Sequence, residues 1–116
     1  MNALTNKVQL IGNVGIDPEI KHLENDKVVV KLSLATHYKY NGNEKVTWHN
    51  LVAWSNTAEI IHKYVKKGDR IAVEGRLDNR SYEDKEGIKR YVTEIIVREI
   101  LLLSSKSAPN IEKAPK

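Results

Sequence analysis

Alternating apolar and polar residues along the chain predict five β-strands. The clearest covers residues 28–36, where Val28, Val30, Leu32 and Leu34 fall on one face with a strict period of two. Clusters of turn residues separate the strands, as at Asn41-Gly42-Asn43 and at Asp84-Lys85-Glu86-Gly87. The predicted strands are residues 7–14, 28–36, 46–54, 71–77 and 91–102.

The period changes to that of a helix between the third and fourth strands. Asn56 is a suitable N-cap with Glu59 as its capping-box partner, and Gly68 is a suitable C-cap, so the helix is predicted over residues 57–67. Its apolar stripe is Ala58, Ile61 and Val65.

This order of elements predicts an all-β domain with one helix. Five strands with a helix between strands 3 and 4 have the connectivity of the OB-fold, a partly open Greek-key barrel. Residues 1–103 are predicted to form this single domain, and residues 104–116, rich in Ser, Ala, Pro and Lys, a flexible basic tail. Other small β topologies give similar patterns and stay open at this point.

Composition restricts the class of protein. The 116 residues suit one globular domain, with 41% hydrophobic and 29% charged residues. No apolar run is long enough to span a membrane, and the N-terminus resembles neither a secretory signal nor a transit peptide, so a cytoplasmic, nucleoid-associated protein without membrane contact is expected. The net charge of +4 permits an anionic partner, but the tail supplies half of it, so charge alone does not explain binding.

Catalytic and metal-binding patterns are missing from the sequence. Without cysteine there is no thiolate site, and the four histidines have no His-x-x-x-His spacing. Glu59 and His62 form one Glu-x-x-His, which on a single helix predicts surface residues rather than a di-iron site. Gly12-Asn13-Val14-Gly15 is too short for a phosphate-binding loop and is interpreted as relieving a strand bend. A non-enzyme without cofactor or metal is therefore expected.

The aromatic residues favour a binding function. The chain has two Trp and five Tyr but no Phe, and its aliphatic residues are numerous enough to fill a small core. Trp48 and Trp54 share one strand face with Asn50, an arrangement suited to stacking on the bases of single-stranded nucleic acid. The alternative is that each tryptophan is a core residue.

Further candidates lie near the turns. Tyr40 and Tyr82 belong to hairpins that could fold over the face of the tryptophans, whereas Tyr64 and Tyr91 are assigned to packing. Four basic residues are candidates for phosphate contact, although solvated surface charge is the alternative for each of them. They are Lys7, Lys67, Arg76 and Arg80.

Several runs of sequence carry a family resemblance that extends over about residues 5–103. They are Asn6-Lys7-Val8, Leu10-Ile11-Gly12-Asn13-Val14-Gly15, Asp17-Pro18-Glu19, Ala35-Thr36, Thr47-Trp48-His49, Ala58-Glu59, Tyr64-Val65-Lys66-Lys67-Gly68, Val73-Glu74-Gly75-Arg76-Leu77, Arg90-Tyr91 and Glu94-Ile95-Ile96-Val97. In order and spacing the chain closely resembles bacterial single-stranded DNA-binding proteins.

The resemblance implies an OB-fold homotetramer around which single-stranded DNA wraps with little sequence preference. By position, Trp48 is similar to the family's central stacking tryptophan, Trp54 stands where Phe is usual, and Tyr40 and Tyr82 stand where Trp is usual. His49 matches a histidine near the subunit interface. The four basic candidates fall on or beside positions that the family uses for phosphate.

The chain also departs from the family pattern. Asn50 and Asn56 stand where basic residues are common, and the loop over residues 39–45 is short. The sequence ends in Ala114-Pro115-Lys116 instead of an acidic tip with a terminal Phe, which puts recruitment of partner enzymes through the C-terminus in doubt. Two origins stay open for this ending, a short paralogue such as one encoded by a mobile element, or a core trimmed from a longer chain.

The predicted function is non-catalytic binding and protection of single-stranded DNA during replication, recombination and repair. One alternative is a dimeric replication-restart accessory protein of similar OB architecture that also contacts a helicase. Another is an OB-fold module of an RNA-binding enzyme, which the lack of a second domain disfavours.

Overall fold

The computed structural model describes residues 3–104, which contain six strands, one α-helix and two single-turn 3-10 helices, Ala3–Thr5 and Glu24–Asp26. The strands are β1 (Val8–Val14), β2 (Glu19–His22), β3 (Val28–Tyr40), β4 (Asn43–Trp54), β5 (Arg70–Glu83) and β6 (Lys89–Ser104), and the helix is α1 (Ser55–Tyr64). Apart from Ser104 at the end of β6, the predicted tail lies outside the described residues and stays a prediction.

Five of the strands close into a barrel. Their order is β1-β5-β6-β4-β3, and β1 completes the ring by pairing with β3 at Asn13 and Val14. The β4–β6 pair is parallel and the others are antiparallel. With α1 between β4 and β5, this is the OB-fold that the sequence predicts. The short strand β2, which pairs with the outer edge of β3, was not predicted.

The core of the barrel is aliphatic. The predicted inward face of β3 is confirmed, because Val28, Val30, Leu32 and Leu34 are all buried. The helix adds its predicted stripe, with Ala58, Ile61 and Val65 buried in the same cluster. Full burial of a Val, Leu or Ile side chain stabilises a fold by about 1.5–3 kcal/mol, so this cluster holds the strands and the helix together.

Both long hairpins extend beyond the predicted strand ends. β3 and β4 stay paired as far as Tyr40 and Asn43, where Asn41 and Gly42 form a two-residue turn with φ of 51° and 79°. β5 and β6 stay paired to Glu83 and Lys89, and the Asp84 carboxylate accepts hydrogen bonds from the backbone of Glu86 and Ile88 beyond them. These ribbons are exposed on both faces, so their sequences do not alternate and pattern analysis ends the strands too early.

The helix differs from its prediction at both ends. β4 runs into α1 without a loop, and Ser55 makes the bend with a φ of 57°, so the predicted capping box of Asn56 and Glu59 is wrong. The C-cap is Val65, whose amide donates to the Ile61 carbonyl. Gly68 instead lies in the following turn, where its amide donates to the carbonyl of Val14. The helix therefore ends before Lys66 and Lys67, which the predicted range of residues 57–67 includes.

Two tyrosines assigned to packing are exposed, so that assignment is wrong. Tyr64 is the last residue of α1 and lies beyond its buried stripe, with the Lys63 Nζ 5.4 Å from its ring centroid. Tyr91 lies on the projecting part of the β5–β6 hairpin, with the Lys89 Nζ 5.7 Å from its ring centroid. The apolar-looking start of the fifth predicted strand is thus outside the barrel.

Closure of the barrel depends on the close approach of β1 to β3. A Cβ built on Gly12 would lie 2.3 Å from the Ala35 carbonyl oxygen, which is backbone and cannot easily move aside. We expect Gly12→Ala to lower the free energy of unfolding by roughly 1–3 kcal/mol because it overpacks this crossing. Urea unfolding followed by circular dichroism measures the effect. Gln9→Ala, at an exposed position of the same strand, is the control, and an equal loss in both variants would contradict the explanation.

Candidate nucleic-acid interface

The side of the barrel wall opposite the core carries both tryptophans. On β4 the side chains of Trp48, Asn50, Val52 and Trp54 alternate with inward-facing residues. Val52 pairs with Ile96 of β6, and Ile96 pairs with Arg76 of β5. The side chains on this side of β4 are therefore continuous with those on the same side of β5 and β6. We call this surface the outer face. On β4 and β5 it consists of Trp48, Asn50, Val52, Trp54, Arg76, Asp78, Arg80 and Tyr82.

Trp48 and Trp54 are accessible rather than buried. Trp48 is 60% exposed and Trp54 is 42% exposed, so the alternative that they belong to the core is excluded. Their predicted common face is confirmed by the β3–β4 register, which pairs Trp48 with Ala35 and Trp54 with Val29. Two large rings are thus held on one open side of the sheet.

Small neighbours leave room for the Trp48 ring. A Cβ built on Gly15 would lie 2.4 Å from Cζ3 of Trp48 and 2.8 Å from Oγ of Ser33. The ring therefore lies across the backbone at Gly15, just after β1. Neither Gly12 nor Gly15 has a positive φ, so neither is needed for its backbone conformation. Both are needed because a Cβ atom would not fit at these close contacts.

Trp54 borders a shallow cavity of about 370 Å³. Lys21 and Lys31 line this cavity together with Arg80 and the carboxylates of Asp78 and Glu94. The two lysines were not among the predicted site residues. Lys31 could have been recognised, since it interrupts the outward face of the clearest predicted strand, whereas Lys21 lies on the unpredicted strand β2.

The ion pair with Glu94 holds the Arg80 side chain on the outer face. Its Nε and Nη2 each donate to Glu94, with distances of 3.1 Å to Oε1 and 3.1 Å to Oε2. Hydrogen bonding to Glu94 raises the pKa of Arg80 above its ordinary value. Its carbon Cζ is 5.9 Å from the ring centroid of Tyr82. Tyr82 therefore extends the outer face beyond Arg80, as predicted from its hairpin.

Arg76 and Lys7 lie at one edge of the outer face. Nη1 of Arg76 is 3.8 Å from Oδ1 of Asp78, a long contact between two half-exposed groups. Val8 pairs with Gly75, so the same register places the exposed Lys7 beside Arg76. The Asn6 side chain fixes this end of the chain by exchanging two hydrogen bonds with the backbone of Leu77.

Lys67 lies in the turn after α1. Its backbone amide donates to Oδ1 of Asp17 at 2.7 Å, which ties this turn to the segment after β1. Gly15, beneath the Trp48 ring, belongs to that same segment. The Lys67 side chain is exposed.

Tyr40 is on the other side of the β3–β4 ribbon. It pairs with Asn43, whose side chain is on the opposite side of β4 from that of Trp48. The expectation that Tyr40 folds over the tryptophan face is therefore wrong. Its ring stacks instead on Tyr38, with centroids 6.4 Å apart and planes at 17°. These two rings line an open cavity of about 460 Å³ with Asn43 and Lys45. Tyr38 was missed, although its spacing of two from Tyr40 is the signal that places both on one face.

His49 lies on the inward side of β4. Its Nε2 is 2.9 Å from Oγ1 of Thr36, and the side chain is half-buried. It pairs with Leu34, which also pairs with Val14 of β1. His49 is therefore next to the place where β1 meets β3, and not on the outer face.

Within residues 3–104 no group of three His, Asp or Glu side chains is placed to hold a metal ion. No helix in that range is long and apolar enough to cross a membrane. What the outer face does provide is planar rings, guanidinium groups and ammonium groups.

These features define an OB-fold domain with an aromatic and basic face, a class whose exposed strands bind oligonucleotides or oligosaccharides. The model of the single-strand binding protein family matches residues 5–103, and the chain belongs to that family. Curated relatives include the single-stranded DNA-binding protein of Bacteroides thetaiotaomicron, 44% identical over 96% of this chain and 73% of that protein. Single-stranded DNA-binding protein 1 of Xylella fastidiosa is 42% identical over 93% of this chain and 84% of that protein.

A solved structure is also similar. The Plasmodium falciparum SSB complex with ssDNA superposes with a TM-score of 0.80 and 33% sequence identity, covering 85% of this chain and 95% of that chain. The family resemblance and the OB-fold expected from the sequence are thus confirmed.

The contact of Trp48 with Gly15 gives a prediction that tests the outer face without removing a ring. Gly15→Ala places a methyl group where Cζ3 and Cη2 of Trp48 now lie, so the ring must tilt away. We expect the tryptophan emission maximum to shift to the red and affinity for a dT oligomer to fall roughly three- to tenfold, less than the loss of a whole stack. Unchanged emission and affinity would show that the ring is not held over Gly15.

Proposed function

We propose that this protein binds single-stranded DNA without catalysis and with little sequence preference. The observation that carries the proposal is the presence of two exposed tryptophans on one sheet face that also carries cationic side chains. Base faces are available in a single strand and hidden in a duplex, and each base offers a ring surface whatever its identity. Stacking on the outer face is therefore selective for single strands and tolerant of sequence.

In the proposed complex, bases stack on Trp48, Trp54 and Tyr82. The phosphates contact cations at the borders of the outer face, which are Lys7, Lys67 and Arg76 from the sequence analysis and Lys21 and Lys31 from the structure. Tyr40 provides a further stack with Tyr38 on the reverse of the β3–β4 ribbon, where Lys45 adds a positive charge. Family membership supports a role in protecting exposed strands during replication, recombination and repair, at the nucleoid in the cytoplasm.

Alanine substitution of the tryptophans tests this proposal. Trp48→Ala and Trp54→Ala should each weaken binding to a dT oligomer by about 1–3 kcal/mol, or roughly 5- to 150-fold, because each removes one base stack. Fluorescence anisotropy of labelled DNA measures the affinity, and thermal unfolding verifies the fold. Tyr64→Ala is the matched control, since it removes an equally exposed ring at the end of α1. Normal binding by both folded tryptophan variants would contradict the proposal.

We further propose that the chain assembles as a homotetramer. Along β1 the residues Val8 to Gly12 bond to β5, while pairing with β3 is found only at Asn13 and Val14 among the described residues. This leaves a strand edge beside the half-buried His49, with Ile11 46% exposed on it. Unpaired strand edges favour pairing with another chain, and four domains sharing one strand of DNA gain affinity by multivalency.

Native mass spectrometry tests the assembly. The expected species is four times the chain mass of 13.2 kDa. Ile11→Asp should lower the mass by placing a charge on the β1 edge, whereas Gln9→Asp, also exposed on β1 and replacing one polar group by a charge, should lower it less. A DNA-binding protein with the mass of one chain would exclude the tetramer, and one with the mass of two chains would instead favour the dimeric accessory protein.

A further inference from the structure

A carboxylate is buried in the middle of the surface that is proposed to receive an anionic ligand. Glu94 lies on β6 and is only 6% exposed, and it lines the cavities on both sides of the Lys31–Val52 row. A buried carboxylate is unfavourable unless it is paired, and it repels a nearby phosphate. Its presence on the outer face therefore requires an explanation.

The partner of Glu94 is Arg80, and the pair is matched in geometry and in charge. Both carboxylate oxygens accept from the guanidinium, at 3.1 Å from Nε and 3.1 Å from Nη2. One planar group thus faces the other in the fork arrangement that makes arginine–carboxylate pairs strong. The net charge of the pair is zero, and a phosphate could take Arg80 only by displacing the carboxylate that pairs with it among the described residues.

Arg76 provides the contrast on the same strand. Its contact with Asp78 is a single approach of 3.8 Å between groups that are both about half exposed. Exposed pairs of this kind are weak and screened by water and salt. A phosphate can therefore recruit Arg76 at little cost, whereas Arg80 stays with Glu94.

We propose that Glu94 is a positioning residue that holds Arg80 in a charge-neutral pair within the base-stacking surface, so that Arg80 does not act as a phosphate contact. This inference rests on the proposed binding of single-stranded DNA. The guanidinium plane is held with its Cζ 5.9 Å from the Tyr82 ring centroid and borders the same cavity as Trp54, so it fills the interval between two proposed stacking rings. Arginine planes stack on bases as aromatic rings do.

The dependence of affinity on salt separates the two roles of an arginine. A phosphate contact releases counterions, so each one adds about 0.7 to the slope of log K against log salt for a single strand. A neutral pair adds nothing to that slope. Four proteins are compared on one dT oligomer from low to high NaCl: the wild type, Arg76→Gln, Glu94→Gln, and the double variant Arg80→Gln with Glu94→Gln.

The expected pattern differs for each variant. Arg76→Gln loses a phosphate contact, so its slope becomes shallower by about 0.7. Glu94→Gln keeps the shape of the pair but releases the charge of Arg80, so its slope becomes steeper by about 0.7. The double variant removes the neutral pair, so it keeps the wild-type slope while its affinity falls roughly two- to thirtyfold.

Two results would overturn the inference while the wild type still binds. One is an unchanged or shallower slope in Glu94→Gln, and the other is a double variant whose slope falls as far as that of Arg76→Gln. A merely structural role for Glu94 would change the unfolding temperature and not the slope. If Glu94→Gln does not fold, the salt slope of the double variant alone tests the inference, because that variant removes both charges together. Absence of wild-type binding to the dT oligomer overturns the proposed function, and the inference with it.

Discussion

The alternation of β3 and β4 is the constraint on which the binding surface depends. The inward positions of these strands are filled by aliphatic side chains that close the core, so the barrel needs no aromatic residue there. Because neighbouring positions on a strand face opposite sides, Trp48 and Trp54 are directed outward by the same register that buries Leu51 and Ala53. A slip of one residue would exchange the two sets. The stability of the core and the exposure of the tryptophans are thus two consequences of one pairing.

Much of the fold could be predicted because it follows from local periodicity. The inward face of β3, the buried stripe of α1 and the common side of the two tryptophans all depend on residues a few positions apart. Strand β2 could not be predicted, since only Ile20 of its four residues is even half-buried. The ends of the long hairpins were also missed, because a ribbon exposed on both faces has no apolar alternation to mark it.

The parts of the site that sequence could not supply depend on contacts between distant residues. Arg80 and Glu94 are neighbours only because β5 and β6 pair antiparallel, and Gly15 meets Trp48 only because β1 closes on β3. Tyr40 shows the same limit in another form. Its position near a turn was recognised, but its side of the ribbon is fixed by the Asn41-Gly42 turn, which sets the register with Asn43. The sequence indicates which residues are suited to binding, and the strand pairing determines where on the barrel they lie.

The placement of aromatic rings on both sides of the β3–β4 ribbon has a consequence for the path of a bound strand. Trp48 is on the outer face, whereas Tyr38 and Tyr40 are on its reverse, three and five residues nearer the tip, or roughly 10 and 17 Å. A strand that stacks on all of them must cross the edge of the hairpin rather than follow one groove. Lys45 borders the tyrosine cavity and can meet phosphate after that crossing. Under the proposed function, the bound DNA therefore bends around the projecting β3–β4 hairpin. The length of this hairpin determines how far the contact between protein and DNA extends beyond the barrel.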